Sequence, residues 1–136
     1  HSNLLKLDDY AVINEIKKTN DAIRNVVNSE TLYLRPPYGN INSNIKTISN
    51  MYTILWDLDT EDWKYKDANR IANYIVENAH DGAIVLLHDL YETSVDGALL
   101  AMEKLQNEGY AFVTVEEMAT LKNVKLDKEK SYFSIK

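Results

Sequence analysis

Residues Ala83-Ile84-Val85-Leu86-Leu87-His88-Asp89 decide how this chain is read: five apolar side chains run without a break into an imidazole and a carboxylate. A short continuous apolar run of this kind, bounded by Gly82, suits a parallel strand covered on both faces. Period-two alternation puts Leu86 on the side of His88 and Leu87 on the other, so the strand ends on a proton-carrying ring with an apolar neighbour. Taken alone, such a histidine also fits a purely structural role.

Outward from this strand, the pattern repeats. Residues 52–58 form a second apolar, β-rich run that closes on Asp59-Thr60-Glu61-Asp62-Trp63. Residues 31–34 read as a short extended run, ended by Arg35-Pro36-Pro37-Tyr38 because prolines lack a donor and restrict the residue before them. Residues 111–115 read as a fourth strand. Between these runs the apolar spacing is helical. Val12, Ile13, Ile16, Ile23, Val26 and Val27 predict a helix from about residue 8 to about residue 28. Ile41, Ile45 and Ile48 predict a short one capped by Asn42 or Ser43, and Ile71, Tyr74, Ile75 and Ala79 a third. Val95, Ala98, Leu99, Met102 and Leu105 form another stripe closed by Gly109, and Thr114 with Glu117 reads as a capping box opening a last helix through Leu121. The charged tail from Lys122 reads as peripheral. Strands alternating with helices predict a parallel sheet with helices outside it. Four strands are too few to close a barrel, so the expected architecture is α/β, an incomplete parallel (β/α) barrel with flanking helices.

Composition narrows the function classes. The 136 residues allow one domain, residues 1–136, and 45% hydrophobic content is enough for a core. A net charge of -6 disfavours nucleic acid or an anionic membrane surface as partner, since both demand a basic face. There is no cysteine, so disulfides and thiolate metal sites are excluded. No apolar run is long enough to span a bilayer, and no signal-peptide pattern is visible at the start.

Three constellations carry chemistry. Arg35 before two prolines suits a rigid, bidentate grip on a carboxylate, or else a strand-ending turn with a surface arginine. Asp59 and Asp62 flank a turn beside Trp63, so a carboxylate could hold an imidazole while the indole walls a sugar groove; the alternative is an acidic loop with a partly buried tryptophan. His88 supplies the imidazole. His80, near a helix end, reads as a charge partner for that end and nothing more.

Together these motifs resemble the polysaccharide deacetylase family, the carbohydrate esterases of family 4 that share the NodB homology domain. Its arginine-x-proline-aromatic motif is matched by Arg35, Pro37 and Tyr38, its Asp-x-x-Asp-Trp motif by Asp59, Asp62 and Trp63, and its leucine-x-histidine motif by Leu86 and His88. His1-Ser2-Asn3-Leu4-Leu5-Lys6-Leu7 looks like the second histidine of the family's metal motif with its continuation, unless His1 is a purification-tag remnant. The resemblance implies a secreted or cell-surface enzyme of the bacterial envelope. Such an enzyme uses a divalent metal, commonly zinc with cobalt or nickel as alternatives, to hydrolyse carbon–nitrogen bonds of linear amides. It would remove N-acetyl or O-acetyl groups from an acetylated glycan such as peptidoglycan, chitin oligomers or xylan. By the same resemblance His1 is a metal ligand, His88, Asp62 and Arg35 are catalytic, and Tyr38, Trp63 and Leu86 bind substrate. His88 would protonate the departing amine, Asp62 would hold it, Arg35 would orient the aspartate base, and the Tyr38 backbone N–H would meet the oxyanion.

The family's first aspartate motif and first metal histidine are absent, and Asp8 and Asp9 open a helix, which makes them poor substitutes. The chain is therefore expected to be the C-terminal part of a NodB-like catalytic domain, competent only with an N-terminal fragment of the same protein as partner. The alternative is a catalytically silent relative that binds glycan through Trp63 and neighbouring aromatics.

Overall fold

The strands are short and their ladders are all parallel, in a computed structural model that describes every residue from His1 to Lys136. Along the chain run α1 (Asp9–Val27), β1 (Tyr33–Leu34), α2 (Ser43–Ser49), β2 (Tyr52–Ile54), β3 (Leu58–Asp59), α3 (Asp62–Tyr65) and α4 (Ala68–Asn78). Then come β4 (Val85–Leu86), α5 (Glu92–Asn107), α6 (Val115–Leu121) and β5 (Ser131–Tyr132). The architecture is α/β, with incomplete sheets of three and two strands. Two units hold them: one is His1–Leu55 with Leu126–Tyr132, the other Trp56–Lys125 with Phe133–Lys136.

In the first unit the sheet order is β1-β2-β5, with Tyr33 opposite Tyr52 and Ile54 opposite Tyr132. Helix α1 starts where expected because the Asp8 carboxylate accepts the Ala11 N–H at 2.8 Å, satisfying one of the donors a helix start leaves open. It stops at Asn28, which takes the left-handed conformation that asparagine tolerates. Asn42 caps α2 in the same way, accepting the Ile45 N–H at 2.9 Å. The buried core of Leu4, Val12 and Ile45 is what these two helices enclose, with Ile16, Ile41 and Ile48 packed against it.

In the second unit β3 pairs with β4, placing Leu58 opposite Val85 and Asp59 opposite Leu86. Ile71, Ala72 and Ile75 of α4 pack on Ala101 and Leu105 of α5, and Val85 and Leu87 lie against that core. The alternation expected around β4 therefore holds: Leu87 takes the core side, leaving Leu86 and His88 the other. The helices approach closely at Gly97, where a Cβ would come within 2.7 Å of the Ile71 Cγ2 atom. Full burial of an isoleucine such as Ile71 contributes about 1.5–3 kcal/mol, so this contact is a main support of the unit.

Three expectations are corrected. The run over residues 52–58 is two strands, because the Leu55 N–H bonds to Tyr132 O and ends one ladder, while the Asp57 and Leu58 N–H groups both turn to Ile84 O and begin another. Residues 111–114 form no strand, since no segment of the chain offers them a ladder, and Phe112 stays exposed; β-forming composition cannot replace a pairing partner. The tail is not peripheral. It supplies β5, a fifth strand, and buries Ile135, whose N–H donates to Gly82 O at 2.9 Å. Gly82 has a φ of 89°, and a Cβ there would lie 1.9 Å from Ile135 O, so only glycine admits this contact. No helix is long and apolar enough to cross a membrane.

Candidate active site

In the second unit, the short segments 60–62 and 86–88 continue the β3–β4 pairing with side chains where the main-chain ladder ends. Asp62 begins α3 and is completely buried. Its Oδ1 lies 2.8 Å from His88 Nδ1, and its Oδ2 accepts the His88 backbone N–H at 2.7 Å. Both carboxylate oxygens are thus spent on one residue, which fixes the ring's orientation. With Nδ1 on Asp62, Nε2 is the nitrogen left free, and the side chain stays partly open to solvent.

The turn that aims Asp62 is built locally. Asp59 Oδ1 accepts the Glu61 N–H at 3.0 Å, holding Glu61 at a φ of 49°, a left-handed conformation that non-glycine residues seldom take. The Thr60 hydroxyl accepts the Asp62 N–H at 3.3 Å and donates to Leu86 O at 3.0 Å. Burial pushes the Asp62 carboxyl pKa up, but the neighbouring Ser94 hydroxyl and the hydrogen bonds from the ring and backbone of His88 outweigh it, so the group sits below the ordinary aspartate value. Ser94 Oγ is itself buried, beside the carboxylate but without a hydrogen bond of ordinary geometry. Trp63, next to Asp62 on α3, is half exposed, and Leu86 is half buried.

In the first unit, Arg35 follows β1 and its fork is taken up by main chain: Nη2 donates to Leu55 O at 3.2 Å and Nε to Ile54 O at a longer 3.5 Å. The carboxylate grip expected for it finds no acidic partner within this chain, and its acceptors here are the carbonyls at the end of β2. Crowding by protein atoms lowers the guanidinium pKa, although the residue remains accessible. Tyr38 sits at a φ of 61°, is 65% exposed, and its backbone N–H donates to no acceptor in the chain. Its hydroxyl donates to His1 O at 3.3 Å, and the two rings meet edge to face with centroids 5.4 Å apart.

The donor set does not fit a metal ion by itself. His1 is exposed, and nowhere does the fold gather three His, Asp or Glu side chains into a metal-binding group. Asp8 caps α1 and Asp9 accepts from Asn44 at 2.8 Å, so both carboxylates have structural work. His80 directly follows the C-cap of α4, but its partner is a carboxylate and not the helix end: its Nε2 lies 2.9 Å from Asp57 Oδ2, while Asp57 Oδ1 holds the Ile84 N–H at 3.0 Å. Sequence reasoning missed Thr60 and Ser94. Thr60 carried a usable signal, a hydroxyl two residues before a turn aspartate, whereas nothing near Ser94 in sequence points to Asp62.

The polysaccharide deacetylase family profile matches residues 1–54. Over 133 residues the chain is 37% identical to the peptidoglycan-N-acetylglucosamine deacetylase PgdA of Listeria monocytogenes, covering 98% of this chain and 28% of that protein. The chain thus spans little more than a quarter of that curated relative. Among solved structures, the T48 deacetylase with substrate superposes with a TM-score of 0.91 at 31% identity, covering 97% of this chain and 65% of that one. A family 4 acetyl xylan esterase from Clostridium thermocellum in complex with a cobalt ion shares the fold, with a TM-score of 0.87 at 24% identity over 95% of this chain and 65% of that one.

Proposed function

The chain belongs to the polysaccharide deacetylase family, and from that premise we propose that it carries the acid half of a hydrolase that removes acetyl groups from a glycan. The observation that carries this reading is the buried Asp62 carboxylate engaging both the ring and the backbone of His88.

Hydrolysis of an N-acetyl amide passes through a tetrahedral oxyanion, and the nitrogen leaves only once protonated. His88 gives that proton from Nε2, because Nδ1 is tied to Asp62. Asp62, held below the ordinary aspartate value, stays ionised at neutral pH and steadies the protonated ring. The unpaired Tyr38 N–H is a donor for the oxyanion; a single such donor is worth about 3 kcal/mol in comparable sites. Half-exposed Trp63 and Leu86 bound the space for the acetyl methyl and the sugar. Arg35, though bonded to carbonyls here, orients the aspartate base, which this chain does not contain.

Deacetylases of this family are metal-dependent, and His1 is the one ligand proposed from this chain. With no group of three donors present, the remaining ligands and the base come from an N-terminal segment of the same protein, and the chain alone is inactive. Peptidoglycan is the substrate favoured by the relative with the higher identity, with chitin oligomers and acetylated xylan as competitors, and the site of action is the bacterial cell envelope.

The test is acetate release from N-acetylated peptidoglycan fragments, chitooligosaccharides and acetylated xylan, by the chain joined to its N-terminal segment and supplied with zinc or cobalt. His88→Ala should lower the rate about 10²- to 10⁴-fold. Acetate release that survives this change intact overturns the reading. Binding of the glycan without acetate release by the native chain identifies a silent relative instead.

A further inference from the structure

We propose that Thr60 is a positioning residue for the His88–Asp62 pair. The geometry is a ring of hydrogen bonds, three of them between segments 60–62 and 86–88 and one within segment 60–62. The Thr60 hydroxyl donates to Leu86 O at 3.0 Å and accepts the Asp62 N–H at 3.3 Å, and Asp62 then takes the backbone N–H of His88 at 2.7 Å and its ring Nδ1 at 2.8 Å. Thr60 is 4% exposed, so water cannot replace it in the ring.

The position of the ring explains what it does. The main-chain ladder between β3 and β4 ends at Asp59 opposite Leu86, one residue before Thr60 and two before His88. Beyond that point, nothing in the main chain fixes the distance between the start of α3 and the end of β4. Thr60 takes over that task with one hydroxyl. Because it is both donor and acceptor, it sets Leu86, the apolar neighbour of the imidazole, and Asp62, its carboxylate partner, in a single register. An aspartate displaced by a fraction of an ångström would still be buried and charged, yet it would hold the ring at the wrong angle.

The inference rests on the reading of His88 as the proton donor, and its test separates the two. Thr60→Val keeps the shape and removes the hydroxyl; Thr60→Ser keeps the hydroxyl and removes the methyl. In the joined, metal-supplied enzyme, Thr60→Val should lower kcat about 10- to 100-fold with KM little changed, and Thr60→Ser should restore most of it. In the chain itself, NMR should find the Asp62 amide protected from hydrogen exchange in the wild type and in Thr60→Ser, and exchanging at least about tenfold faster in Thr60→Val. The ring Nδ1 proton of His88 should be visible in the first two and lost in the third. A folded Thr60→Val with native kcat, or with native Asp62 protection and a native His88 signal, overturns the proposal. If Thr60→Val does not fold, an unprotected Asp62 amide in the wild type, or a Thr60→Ser protein that loses the His88 signal, overturns it just as well. If the native enzyme releases no acetate, the deacetylase reading fails while the exchange and ring measurements still decide the role of Thr60.

Discussion

The two units of the molecule treat their reactive residues differently. In the second, Asp62 and His88 satisfy each other, the carboxylate is fully buried, and the bonds of Thr60 extend strand pairing to them. In the first, Arg35 rests on two carbonyls, Tyr38 keeps an unpaired N–H at a strained φ, and His1 stands exposed against a tyrosine ring. The contrast teaches that a carboxylate–imidazole pair can be assembled within one stretch of chain, because it needs only one charge partner and a register. An oxyanion and metal site needs several groups held together, and these groups are not all present.

The largest effect that could break this contrast is expected at Asp62. Asp62→Ala should lower acetate release by about 10²- to 10⁴-fold, because the ring loses both its orientation and its counter-charge. It should also cost about 1–3 kcal/mol in denaturant unfolding, since the His88 N–H is left without its acceptor. An Asp62→Ala protein as active as the native one would remove the functional half of the contrast. Next comes Gly97→Ala. It forces a methyl against Ile71 where α4 meets α5 and should cost about 1–3 kcal/mol by overpacking, in the second unit and not the first, as hydrogen exchange resolved by residue would show.

The pH dependence sharpens the same point. Asp62 has a folded-state pKa below its unfolded value, so its contribution to stability is complete above about pH 4 and is lost as pH falls through the lower, folded value. Thermal melts of the native chain and of Asp62→Asn should therefore draw together below about pH 4. A difference that is the same at pH 3 and pH 6 would show that the charge of Asp62 is not what stabilises it. The smallest effect is expected at Arg35. Arg35→Met removes two hydrogen bonds, one of them long at 3.5 Å, made by an exposed side chain, and should cost about 1 kcal/mol or less in the chain alone, measured by urea unfolding. A loss of several kcal/mol would mean that the first unit depends on Arg35 far more than its bonds suggest.

Much of this was legible in the sequence, for identifiable reasons. Helices announce themselves locally: Asp8, Asn42 and the Thr114–Glu117 capping box mark their starts as the spacing predicts. The pairing of Asp62 with His88 was legible through the motif resemblance, whereas the strand-like runs alone left open which carboxylate would hold the ring. Strand partners were not. Residues 52–58 read as one strand although they serve two sheets, residues 111–115 read as a strand although nothing pairs with them, and Ser131–Tyr132 joins β2 from a segment whose charge hid it. Pairing is non-local, so composition cannot report it. The acceptors of Arg35 were hidden for the same reason. An arginine before prolines announces a rigid fork but not whether carbonyls or a carboxylate will fill it.

The claim on which the account turns is that this chain, with no metal added, already holds the His88 ring on Asp62. Nitrogen-15 NMR of the ring at neutral pH, in the presence of a chelator, tests it directly. The account predicts a proton fixed on Nδ1, with a sharp downfield signal that disappears in Asp62→Asn and is unchanged by chelation. A ring that exchanges freely between its two tautomers, or whose Nδ1 proton persists in Asp62→Asn, would contradict it.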